Sequence, residues 1–103
     1  MAQTIIRQLE DGLVLRRSSA ADAAKLVDFL GNLHREPGAE GPEEHVAAWV
    51  GDLMSGDHPT FDVGDFTFVE DTGTGAIVSC LCLISQTWSY GGIQFGMGRP
   101  ELV

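Results

Sequence analysis

The stretch Ala76-Ile-Val-Ser-Cys-Leu-Cys-Leu-Ile84 constrains the fold more than any other part of the chain, because Ser79 is its only residue that is not apolar. A segment that is apolar at both alternating parities reads as a strand covered on two faces, so residues 76–87 are expected to form the long central strand of a layered sheet. The run is far short of the ~20 residues that cross a bilayer as a helix, and no transmembrane span is expected. Cys80 and Cys82 lie within it on one strand face, their Cα atoms roughly 6.5 to 7 Å apart by the strand rise, at or beyond the reach of an unstrained disulfide. They read as core thiols rather than as a redox or metal pair.

The remaining elements arrange themselves around that strand. Asp11-Gly12 is a turn signal, followed by Leu13-Val14-Leu15 and Arg16-Arg17 as a short strand. Ser19-Ala-Ala-Asp22 has the spacing of a capping box, and Ala23, Leu26, Val27, Leu30 and Leu33 recur at helical intervals, predicting a helix over about 20–34. Glu36-Pro-Gly-Ala-Glu-Gly41 is a loop by composition. Pro42 then suits the first turn of a second helix, with Val46, Trp49, Val50 and Leu53 as its stripe and Gly56 at its end. Residues 65–70 read as a Phe- and Val-rich strand and Asp71-Thr-Gly-Thr-Gly75 as a turn. Trp88-Ser-Tyr-Gly-Gly92 reads as a second turn, and Ile93, Phe95 and Met97 as alternate residues of a last strand, broken by Pro100. The expected fold class is α+β, in the order β-α-α-β-β-β, with two helices packed on an antiparallel sheet in one domain spanning 1–103.

Charge narrows the partners. The net charge is −9, and it is uneven: residues 1–35 carry five basic and four acidic side chains, whereas 36–103 carry one basic and eleven acidic. Such a field repels phosphate backbones and anionic lipid, so neither nucleic acid nor a membrane surface is expected, and it favours an amine-bearing ligand or a basic protein surface. The opening Met-Ala-Gln-Thr-Ile-Ile-Arg has no basic start and long apolar core of a secretory signal, so a cytoplasmic location is expected.

The segments Leu13-Val-Leu-Arg-Arg-Ser-Ser-Ala-Ala-Asp22, Phe66-Thr-Phe-Val-Glu-Asp71, Ala76 through Ile84 and Gly98-Arg-Pro-Glu-Leu-Val103, in this order, resemble the opening half of GNAT-type N-acetyltransferases. The resemblance implies a strand ending in Arg, a Ser/Asp-capped helix, a second helix and a long antiparallel hairpin. It also implies an acetyl group passed from acetyl-coenzyme A to an amine with no covalent enzyme intermediate. Glu101 is the residue that would stand as general base, and Trp88 and Tyr90, with the loop of Glu36 opposite them, would shape the amine site. The family's coenzyme loop, Gln/Arg-x-x-Gly-x-Gly/Ala before a helix, finds no match. Gly91-Gly-Ile-Gln-Phe-Gly-Met-Gly98 is glycine-rich but reads as a turn and an interrupted strand. Acetyl-coenzyme A is therefore the cofactor of the complete family domain, and none is expected to be held by these residues alone.

Other chemistry is less well supported. His34, His45 and His58, with Glu36, Asp57 or Asp62 nearby, show no ligand spacing on one element and read as surface histidines. No Gly-x-Ser-x-Gly elbow is present. A sheet that stops at its last strand leaves an open edge, and a non-catalytic interaction module, including a homodimer formed through that edge, is the alternative expectation.

Overall fold

A computed structural model describes residues 5–103. Residues 1–4, the start of the stretch read for a secretory signal, lie outside the described residues. Five strands form one sheet in the order β1-β2-β3-β4-β5, every neighbouring pair antiparallel. They are β1 (Ile5–Gln8), β2 (Leu13–Arg17), β3 (Phe66–Asp71), β4 (Ala76–Tyr90) and β5 (Ile93–Glu101). Between β2 and β3 come a 3-10 turn (Ala20–Asp22) and the helices α1 (Ala23–Leu33) and α2 (Glu44–Leu53). The α+β class and the two helices stand as expected from the sequence, and β1 is an additional strand. It forms because Asp11 and Gly12 both adopt positive φ, 58° and 76°, which lets a tight reversal pair residues 5–8 with 14–16.

Both helices cover the same face of the sheet. Leu26 and Leu30 of α1 and Val50 and Leu53 of α2 pack with Phe66 and Phe68 of β3 and with Ile77, Cys80, Cys82 and Ile84 of β4. Leu33 and Trp49, expected in the helical stripes, are instead exposed. The helices meet closely at Gly31, where a Cβ would lie 3.1 Å from the Pro42 side chain, and the Gly31 carbonyl accepts the Glu43 amide at 2.8 Å. On the other face of β4, Val78, Leu81 and Leu83 are exposed, so the strand is covered on one side only. The two-sided apolar pattern therefore does not correspond to two covering layers within these residues.

β4 also continues past the expected turn. It runs to Tyr90, and Gly91-Gly92, at φ 58° and 81°, make a two-residue hairpin into β5. β3 pairs with β4 only as far as Cys82, so the outer parts of β4 and β5 project as a two-stranded arm. Pro100 sits inside β5 opposite Leu83 rather than ending it. The reason is parity. Tyr90 and Ile93 close the hairpin as a hydrogen-bonded pair, so the backbone N–H positions of Gln94, Gly96, Gly98 and Pro100 point away from β4, and a proline there costs no ladder bond.

Candidate functional site

Alternation along β2 puts Val14 and Arg16 on the helix-facing side, and alternation along β3 puts Phe66, Phe68 and Glu70 there as well. Arg16 is thereby carried into the core with no exposed surface. Its five N–H groups all find acceptors. Nη1 and Nη2 donate to the two carboxylate oxygens of Asp22, each at 2.8 Å, and Nε and Nη2 donate to Glu70 at 3.1 and 3.2 Å. Nη1 also donates to the Arg17 carbonyl at 3.2 Å. The guanidinium lies 4.3 Å from the centroid of the Phe68 ring, a stacking arrangement that suits a weakly hydrated planar cation.

Asp22 holds this geometry from the helix side. Its Oδ2 accepts the Ser19 amide at 2.8 Å, the reach-back bond that the Ser19-Ala-Ala-Asp22 spacing predicts. Burial pushes the Asp22 carboxyl up, but the Arg16 guanidinium and the Ser19 donors outweigh it and hold the group below the ordinary range. For Glu70 the Arg16 hydrogen bonds dominate over burial, Lys25 Nζ donates at 2.8 Å, and the carboxyl is likewise held low. Arg16 is kept protonated, chiefly by the Asp22 bond acting against its own burial. Two cations and two anions thus neutralise one another inside a chain of net charge −9. Such a cluster is a clamp between sheet and helix. Lys25 is its exposed member, with its side chain 43% accessible.

A shallow cleft of about 280 Å³ lies beside this clamp, between Lys25, Asp28 and Phe29 of α1 and Thr74 to Ile77 at the β3–β4 turn. α1 therefore runs from the arm end of the sheet toward the β3–β4 turn, and the loop that follows it carries Glu36 to that end. Trp88 and Tyr90 sit at the opposite end, on the projecting arm, 44% and 83% exposed. Glu101 is level with Cys82, six residues from Trp88 and eight from Tyr90 along β4, or roughly 20 and 27 Å at the strand rise. The structure thus does not gather Glu36, Glu101, Trp88 and Tyr90 into one pocket.

Glu101 itself is partly exposed, and Arg99 Nη2 donates to its Oε1 at 2.7 Å. The chain then turns at Leu102, whose φ of 54° drops its side chain into the core, and the Leu102 carbonyl accepts the Cys80 thiol at 3.2 Å. Burial pushes the Cys80 thiol up to about 11 and, with help from Cys80 and Glu101, the Cys82 thiol up to about 12. Both are free and buried, as a core role requires. Among the described residues no group of His, Cys, Asp and Glu could hold a metal ion. No helix among them is long and apolar enough to cross a membrane.

The glycines of 91–98 are accounted for by the hairpin turn and by β5, where a Cβ at Gly98 would press on Leu83 at 3.2 Å. They form no loop that presents amides to a phosphate. The fold is thus defined at the level of class: two helices on one face of a five-stranded antiparallel sheet. No family model, no curated protein and no solved structure matches this chain.

Proposed function

We propose that this chain is the acceptor-side part of a GNAT-like N-acetyltransferase fold. The observation that carries the reading is the succession of an Arg-bearing strand, a Ser/Asp-capped helix, a second helix and a long antiparallel hairpin in one continuous sheet, with Glu101 closing the last strand beside an open edge. In this reading acetyl-coenzyme A, held by parts of the domain beyond these residues, would supply the activated acetyl group for transfer to an amine. Glu101, directly or through one water, would take the proton that the amine gives up. The acidic surface of 36–103 favours a cationic acceptor over an anionic one.

Strong coenzyme binding is not expected from these residues alone, since the pyrophosphate needs a glycine-permitted loop at a helix N-terminus. The test is a titration with acetyl-coenzyme A followed by amide NMR, with calorimetry alongside. The expected result is no heat at micromolar coenzyme, and millimolar-range shifts confined to 98–103 and the facing part of β4. Shifts that fall only outside 98–103 and the facing part of β4 would remove the acetyltransferase reading.

A second reading, a non-catalytic acidic module that recruits a basic strand, is favoured by the outward-facing N–H groups of Gln94, Gly96 and Gly98 on the unpaired side of β5. Gly96→Pro would remove one of these donors while leaving the β4 ladder intact, and would weaken capture of a basic peptide if that reading holds.

A further inference from the structure

The β4–β5 arm has two unlike faces. Strict cross-strand register places Trp88 opposite Phe95 and Tyr90 opposite Ile93, with Gln86 opposite Met97, all on the side that bears Ile84 and the core. The other side carries Ser85, Thr87, Ser89, Gln94, Gly96 and Gly98. The apolar layer under the helices thus continues outward along the arm, past the point where the helices end. Trp88, Tyr90, Ile93 and Phe95 are 44%, 83%, 71% and 40% exposed there.

The arm is also free of charge: it lies within the long stretch 72–98, which contains no Asp, Glu, Lys or Arg in a chain of net charge −9. We infer that the aromatic face of this arm is the surface on which two copies of the chain associate about a two-fold axis. A second copy repels the first over much of its acidic surface, and the arm lets the two meet without opposing like charges. A basic partner, by contrast, finds on this side only Glu101, which is already paired with Arg99. An isologous contact needs a patch that complements itself, and a flat uncharged aromatic ribbon does. A fully exposed aromatic offers about 150 to 250 Å². The four residues therefore leave on the order of 500 Å² per copy, and the resulting ~1,000 Å² total sits at the lower limit of specific interfaces. An interface this small belongs to the weak, transient class, so association is expected to depend on concentration.

The experiment is sedimentation equilibrium of the full chain from about 5 µM to 500 µM, repeated at low and high salt. The mass is expected to rise from 11.1 kDa toward twice that value. Added salt should tighten the association by screening the acidic surfaces, the opposite of an ionic interface. Tyr90→Glu combined with Ile93→Glu should weaken it at least tenfold while the far-ultraviolet dichroism stays native, because both side chains already face solvent. Gly96→Pro should leave it unchanged. A chain that remains at 11.1 kDa throughout overturns the inference, and so does a dimer that survives the double substitution or is lost only with Gly96→Pro.

Discussion

Arg16 shows how strongly one side chain can depend on its partners. Replacing it with Met removes a cation that satisfies two buried carboxylates, and breaking a buried ion pair by deleting one partner typically costs about 3–5 kcal/mol. Arg16→Met is expected to lower the unfolding free energy read from urea titration at pH 7 by that amount, a large share of the ~5–15 kcal/mol that holds a domain together. Acid should act on the same residues. Asp22 and Glu70 are held low in the folded state, so their contribution is fully present above about pH 5. It is lost as protons bind below about pH 4, where the unfolded carboxylates titrate. Asp22→Asn should flatten that part of the stability-versus-pH curve relative to the parent chain, as read from urea midpoints between pH 3 and 7. The buried position of Arg16 is readable in retrospect from its parity with Val14. The sequence marks Arg16 and Arg17 only as the end of a short strand, because the strand pattern alone does not say that Asp22 and Glu70 converge there.

At the scale of elements, the helix pair depends on the absence of a side chain at Gly31. The gap to Pro42 and Ala47 is 3.1 and 3.4 Å from a hypothetical Cβ, so Gly31→Val would force α1 and α2 apart. The expected cost is about 1–3 kcal/mol, despite the gain in helix propensity, and it is checked by thermal unfolding with helicity followed by circular dichroism. Cap and turn signals were legible here. Ser19 to Asp22, Asp11-Gly12, and Asp71 to Gly75 all do what their local chemistry indicates, because each depends on hydrogen bonds made within a few residues. β1 and the outer half of β4 were not legible, since both are stabilised by a neighbouring strand rather than by their own pattern. Trp88 and Tyr90 read as turn residues from the sequence, whereas the Gly91-Gly92 reversal carries the strand through them.

The whole molecule is longer than its size requires. Its radius of gyration is 15.2 Å and its longest extent 50 Å. A compact chain of this length would have a radius of gyration of about 13 Å. The excess lies in the arm, a two-stranded element that is marginal by itself and gains stability when its apolar face is covered. If two copies supply that cover, the thermal midpoint rises with protein concentration, a dependence that a monomer lacks. The sequence by itself determined the α+β class, the two helices, the tight turns and the core role of both cysteines, because periodicity, caps and turn residues act over a few positions. Only the tertiary structure decided that Arg16 is buried in an ion cluster, that β4 is covered on one face, and that Glu36, Glu101, Trp88 and Tyr90 stand far apart. Those outcomes depend on which strand pairs with which and on where the helices end, and such long-range geometry leaves no local mark in the chain.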